Sequence, residues 1–166
     1  MNNNLRKLTE EATHFLHEHA LKVCTAESCT GGYLGQMLTS LPGSSAWFDC
    51  GFITYSNEAK QHVLSVPQEI ILAHGAVSEA VAIAMAKGAL ALSRADLSVA
   101  ITGIAGPSGA TPEKPVGTVW FAWQWHEQET LTRCMHFSGE REWVRIQAVC
   151  YALERIKALP RSPFID

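Results

Sequence analysis

Leu5, Leu8, Ala12, Phe15 and Leu16 recur at helical spacing, so the first twenty residues predict an amphipathic helix. The next apolar run, Leu21 to Ala26, has the length of a buried strand. Glu27-Ser28-Cys29-Thr30-Gly31-Gly32 then separates it from a helical run through Tyr33, Leu34, Met37 and Leu38 that ends before Pro42-Gly43. Phe48 to Tyr55 predicts a second strand. Asn57 is placed to cap a short helix from Glu58 to Leu64, and Pro67 to open another near Glu69 to Ala73. Ser78 caps a long Ala-rich helix over Glu79 to Ala91. Leu97 to Ile104 is a continuous apolar strand followed by a Gly/Pro loop, Ala105 to Val116. Gly117 to Trp125 and Thr130 to Phe137 alternate as a hairpin, and a last helix runs from Glu140 to Leu159.

Helices interleaved with buried strands predict an α/β fold: a three-layer α/β/α sandwich whose sheet is mixed but mostly parallel. Ligands in such sheets bind beyond the carboxyl ends of the strands, which directs attention to three loops. In Glu27 to Gly32, the hydroxyls of Ser28 and Thr30 stand beside glycines whose N–H groups can meet an anion; the same residues also suit a plain helix cap. Thr102 to Gly109 is rich in glycine but has neither P-loop nor G-x-G-x-x-G spacing, so close backbone approach to a ligand and simple turn formation both fit. Lys60 follows the third loop in the first turns of a helix, where the dipole disfavours its charge. Near a buried hydroxyl it would serve as a general base; on the surface it would be an ordinary solvated lysine.

Composition narrows the choices. Among 166 residues, 47% are hydrophobic and 17% charged, enough for one domain with a substantial core. Thirteen Lys and Arg against sixteen Asp and Glu give a net charge of -3 without a basic stripe, which argues against nucleic acid as a partner. The longest apolar stretch, around Ala80 to Leu92, is broken by Lys87 and Gly88, so no membrane association is expected. Five cysteines without a C-x-x-C pair, and no signal-peptide pattern, lead to a cytoplasmic assignment. His14, His17 and His19 lie on the first helix with a single E-x-x-H and fit an exposed polar face; no metal is predicted. Cys29, beside Ser28, is a minor alternative nucleophile. An apolar sheet edge and five tryptophans, with Trp123 and Trp125 placed on an exposed face, lead to the expectation of a homo-oligomer.

Four motifs taken in order resemble the CinA C-terminal domain family over nearly the whole chain. They are Thr25-Ala26-Glu27-Ser28-Cys29-Thr30-Gly31-Gly32, Gly51-Phe52-Ile53-Thr54-Tyr55-Ser56-Asn57-Glu58-Ala59-Lys60, Gly75-Ala76-Val77-Ser78 and Thr102-Gly103-Ile104-Ala105-Gly106-Pro107. The resemblance implies a single amidohydrolase domain over residues 1–166, without the molybdopterin-binding-like domain of full-length members. It further implies hydrolysis of the carboxamide of nicotinamide mononucleotide to nicotinic acid mononucleotide and ammonia in NAD salvage, with no metal and no cofactor. On this pattern Ser28 is the nucleophile and Lys60 its base, with Tyr55, Thr102 and Ser45 around the reacting amide.

Gly43-Ser44-Ser45 with Lys60 also resembles amidase-signature hydrolases, which are much longer chains, and makes Ser45 the second nucleophile candidate. For the substrate phosphate, Arg141 and Arg145 are one helical turn apart, and the family has a functional arginine in this segment. Thr30, Gly31, Gly32 and Gly106 are the other binding candidates. Two rival functions remain: a nucleotide-binding module without catalysis, and a competence-associated partner protein.

Overall fold

The apolar runs become the strands of one five-stranded sheet in the computed structural model, which describes residues 3–158. Along the chain come α1 (Asn3–Glu18), β1 (Val23–Glu27), α2 (Tyr33–Leu38), a short 3-10 turn (Ser44–Ala46), β2 (Phe48–Ile53), α3 (Asn57–Leu64) and α4 (Gln68–His74). They are followed by α5 (Glu79–Ala91), β3 (Leu97–Gly103), β4 (Thr118–Trp125), β5 (Leu131–His136) and α6 (Arg141–Ile156). The sheet order is β2-β1-β3-β4-β5. β1 pairs parallel with both β2 and β3, and β4 pairs antiparallel with β3 and β5, so β4 alone runs against the other four. The three-layer, mostly parallel reading holds.

Side chains that alternate along each strand feed two cores. On one face Val23, Ile101, Phe121 and Trp123 pack with Leu16 of α1, Leu34 of α2 and Val149 and Leu153 of α6. On the other, Ala26, Ala100 and Ala122 meet Leu64 of α3, Ile71 of α4 and Val81 and Met85 of α5. Alanines on both sides of this second interface let α5 lie close to the sheet. Gly88 continues the theme, since a Cβ there would stand 2.1 Å from the Leu64 carbonyl oxygen; only glycine admits α3 this close to α5. That contact fixes the helix carrying Lys60.

Three expectations are corrected. Trp123 and Trp125 are buried, 1% and 3% exposed, because α6 covers the sheet face to which they point; they offer no exposed surface. Ser56, not Asn57, caps α3: its hydroxyl accepts from Ala59 N–H, and Asn57 is already helical. β2 ends at Ile53, two residues short of Tyr55, where the chain turns toward α3. Ser78 does cap α5, accepting from Val81 N–H. Leu159, the expected end of α6, lies outside the described residues. No helix among the described residues is long and apolar enough to cross a membrane.

Candidate active site

Register builds the site. Glu27 is level with Ile53 on one side and Ile101 on the other, so Ser28, Thr54 and Thr102 emerge together at the carboxyl edge of the parallel strands. The ladder continues one step further, with Ser28 N–H donating to Ile101 O at 3.0 Å and Thr54 N–H to Glu27 O at 2.9 Å. The chain then turns sharply: Gly31 N–H returns to Ser28 O, and Gly31 and Gly32 adopt φ values of 59° and 92°, a region that favours glycine.

Glu27 holds this turn. Its buried carboxylate accepts from the N–H groups of Gly32 and Leu34 through Oε2 and of Gly35 through Oε1, at 3.1, 3.0 and 2.8 Å. The protein's own carboxylate therefore occupies the start of α2, where an external anion was expected, and Gly31 and Gly32 have no N–H left to offer a ligand. Glu27→Ala would orphan three donors at once, and a loss of about 3 kcal/mol in urea unfolding is expected.

Lys60 is buried, 1% exposed, because α3 turns its Lys60–Leu64 face inward. Its Nζ lies 3.0 Å from Ser28 Oγ, 2.9 Å from Thr54 O and 3.3 Å from Tyr55 O. No carboxylate among the described residues pairs with it, and burial pulls its pKa below the ordinary lysine value. Cys29, also buried, has its thiol pushed up to about 12 by burial, which leaves it un-ionised and unsuited to nucleophilic work.

A cavity of about 320 Å³ opens over these groups. Its floor is buried: Ser28, Lys60, Thr102 and Cys29. Its rim is exposed and polar: Tyr55, Asn57, Ser108 and Arg141, with exposed Gly109 and buried Gly106 of the β3–β4 loop. Arg141 spans this rim, donating to Gly106 O at 2.9 Å and to the Tyr55 hydroxyl at 2.7 Å. Asn57 was missed as a lining residue because its type so strongly signals a cap; the adjacent Ser56 was the clue that it could be released from that duty.

The remaining candidates lie elsewhere. Arg145 points away from the cavity, donating to Thr30 O at 2.8 Å with its guanidinium 5.9 Å above the Tyr33 ring, so it braces the turn after Ser28. Thr30 is fully buried beneath that turn. Ser45 is exposed and precedes β2, at the amino ends of the strands, roughly 20 Å of strand away from the carboxyl edge that carries Ser28. Among the described residues no cluster of three or more His, Cys, Asp or Glu forms a metal-binding group.

The sequence profile of the CinA C-terminal domain matches residues 5–159. The chain belongs to the CinA C-terminal domain family. It is 51% identical over 152 residues to a protein of Escherichia coli (strain K12) called nicotinamide-nucleotide amidohydrolase PncC, covering 92% of each chain. A protein of the same name from Pseudomonas putida is 48% identical, over 83% of this chain and 86% of that one. Among solved structures of the CinA family, the competence/damage inducible protein CihA from Agrobacterium tumefaciens superposes with a TM-score of 0.92 at 42% identity, covering 95% and 96% of the two chains. The competence damage-inducible protein A from Klebsiella pneumoniae follows at 0.90 and 44%, over 94% and 96%.

Proposed function

We propose that this protein hydrolyses the carboxamide of nicotinamide mononucleotide, giving nicotinic acid mononucleotide and ammonia within pyridine-nucleotide salvage, through a Ser28/Lys60 dyad. The observation that carries the reading is the set of partners around Lys60 Nζ. Two are backbone carbonyls, which only accept, so they take the two N–H bonds of a neutral amine. Lys60 Nζ donates to Ser28 Oγ at 3.0 Å in the resting geometry; once the amine is neutral, its lone pair faces the same oxygen and takes the Ser28 proton along that contact. Burial without a carboxylate favours this neutral form.

The steps follow from that pairing. Ser28 Oγ attacks the amide carbon as its proton passes to Lys60, and the carbonyl oxygen becomes an oxyanion. The N–H of Cys29, which lines the cavity and donates to no carbonyl or carboxylate among the described residues, is the donor best placed to meet it, a contribution of about 3 kcal/mol by analogy with known oxyanion holes. Collapse breaks the C–N bond while the Lys60 ammonium returns the proton to nitrogen, and ammonia leaves. Water, deprotonated by Lys60, then attacks the Ser28 ester; its collapse releases the acid and restores the Ser28 hydroxyl.

Arg141 is the cation at the cavity rim and the candidate for the substrate phosphate, with the Gly106–Gly109 segment facing it. Arg141→Ala is expected to raise KM about 10–100-fold with kcat changed only a few-fold, the pattern of a contact made equally in ground and transition states. The reading itself is tested by ammonia release from nicotinamide mononucleotide by the purified protein in EDTA. Turnover supports it. Tight nucleotide binding without ammonia would instead favour the non-catalytic module.

A further inference from the structure

We infer that Thr102 discriminates the carboxamide substrate from the carboxylate product by hydrogen-bond polarity; this rests on the amidohydrolase reading above. Thr102 stands level with Ser28 on the neighbouring strand and lines the same cavity floor, 1% exposed. Its Oγ1 lies 2.8 Å from Ala76 O in the turn between α4 and α5. A carbonyl has no proton to give, so the Thr102 hydroxyl must donate, and its single hydrogen is committed to that bond. Toward the cavity it presents lone pairs only. The residue is an acceptor fixed by the fold.

The other floor groups reinforce this polarity. The N–H bonds of Lys60 go to the carbonyls of Thr54 and Tyr55 and to Ser28 Oγ, so none of them is left to meet a carboxylate oxygen. With the substrate carbon at Ser28 Oγ and its oxygen at the Cys29 N–H, the amide nitrogen falls on the Lys60 and Thr102 side. An NH2 group there donates to Thr102 Oγ1. The product carboxylate, which only accepts, would set an oxygen against the same lone pairs. Thr102 therefore holds the leaving nitrogen before reaction and opposes the acid after it, favouring product release. A site built around one hydrogen-bond polarity rejects the wrong group more strongly than a merely snug one.

The test is calorimetric titration of nicotinamide mononucleotide and nicotinic acid mononucleotide into Ser28→Ala, into Ser28→Ala/Thr102→Val and into Ser28→Ala/Thr102→Ser. The amide is expected to bind at least about tenfold tighter than the acid in Ser28→Ala and in the serine variant, with that ratio collapsing about tenfold or more in the valine variant. A role limited to anchoring the Ala76 turn would weaken both ligands together and leave the ratio unchanged, which would overturn the inference. So would equal affinities in Ser28→Ala. Product inhibition of the unmodified protein reads the same preference without relying on any variant to fold: the acid's Ki should exceed the amide's KM at least about tenfold, and a Ki at or below KM counts against Thr102. If wild type releases no ammonia and neither nucleotide binds, the parent reading fails and this inference falls with it. Ammonia release alongside an unchanged ratio sinks this inference alone.

Discussion

Ser28→Ala is expected to reduce ammonia release by about four to six orders of magnitude, the range seen when the nucleophile of an activated serine hydrolase is removed. The substitution deletes one hydroxyl from a residue 8% exposed, and the turn around it is held by the Glu27 carboxylate and the Ser28 backbone, so the fold should persist. Nucleotide affinity should change only a few-fold, because the proposed phosphate contact lies at the Arg141 rim and not at Ser28. Ser45→Ala, in contrast, should turn over like wild type, since Ser45 sits at the opposite end of the strands. Steady-state ammonia assays on the two variants separate the alternatives. A dead Ser45→Ala protein with an active Ser28→Ala protein would require a site assembled outside the cavity described above.

The three layers and the mostly parallel sheet were legible because buried parallel strands are apolar on both faces and helices between them follow a different period. β1, the loop after it and α2 could be read almost to the residue. The same double burial misled the reading of β4. Trp123 and Trp125 were assigned to a solvent face by strand alternation, and no local feature announces that α6, packed through Tyr151 against Trp123, covers it. Burial there is decided by an element some twenty residues further along the chain.

The site divides in the same way. Its chemistry-bearing types were visible: a serine after a strand, a lysine early in a helix, an arginine opening another. The hydrogen-bond polarity was not. That Glu27 closes the α2 terminus, that Thr102 is restricted to accepting, and that Arg145 braces Thr30 while Arg141 reaches the cavity all depend on register between segments distant in sequence. Two arginines one turn apart look equivalent along the chain; only the position of α6 over the loops assigns them different partners.

Lys60 carries the second large effect, and it pulls stability and activity in opposite directions. Burial lowers the lysine's pKa in the native state, so between that lowered value and 10.5 the unfolded chain binds more protons than the folded one. Wild-type stability should therefore rise with pH across that window, the penalty being fully present below the native pKa and gone above the unfolded one. Lys60→Met removes the buried amine and keeps an apolar stem of similar length. Allowing for the lost bonds to Thr54 O and Tyr55 O, it should be more stable at pH 7 by about 1 kcal/mol, a Tm gain of roughly 2–4 °C, and the gain should shrink as pH approaches 10.5. Ammonia release should fall about a thousandfold or more, because Ser28 loses its proton acceptor. Lys60→Arg should be equally inactive despite keeping the charge, since a guanidinium has no lone pair to offer at any accessible pH. In wild type the rate should rise with pH along an acidic limb whose midpoint lies below 10.5 and follows the neutral fraction of Lys60. Paired thermal melts and pH–rate profiles measure both halves. A Met variant less stable than wild type at pH 7, or an active Arg variant, would show that Lys60 works as a fixed cation and not as a base.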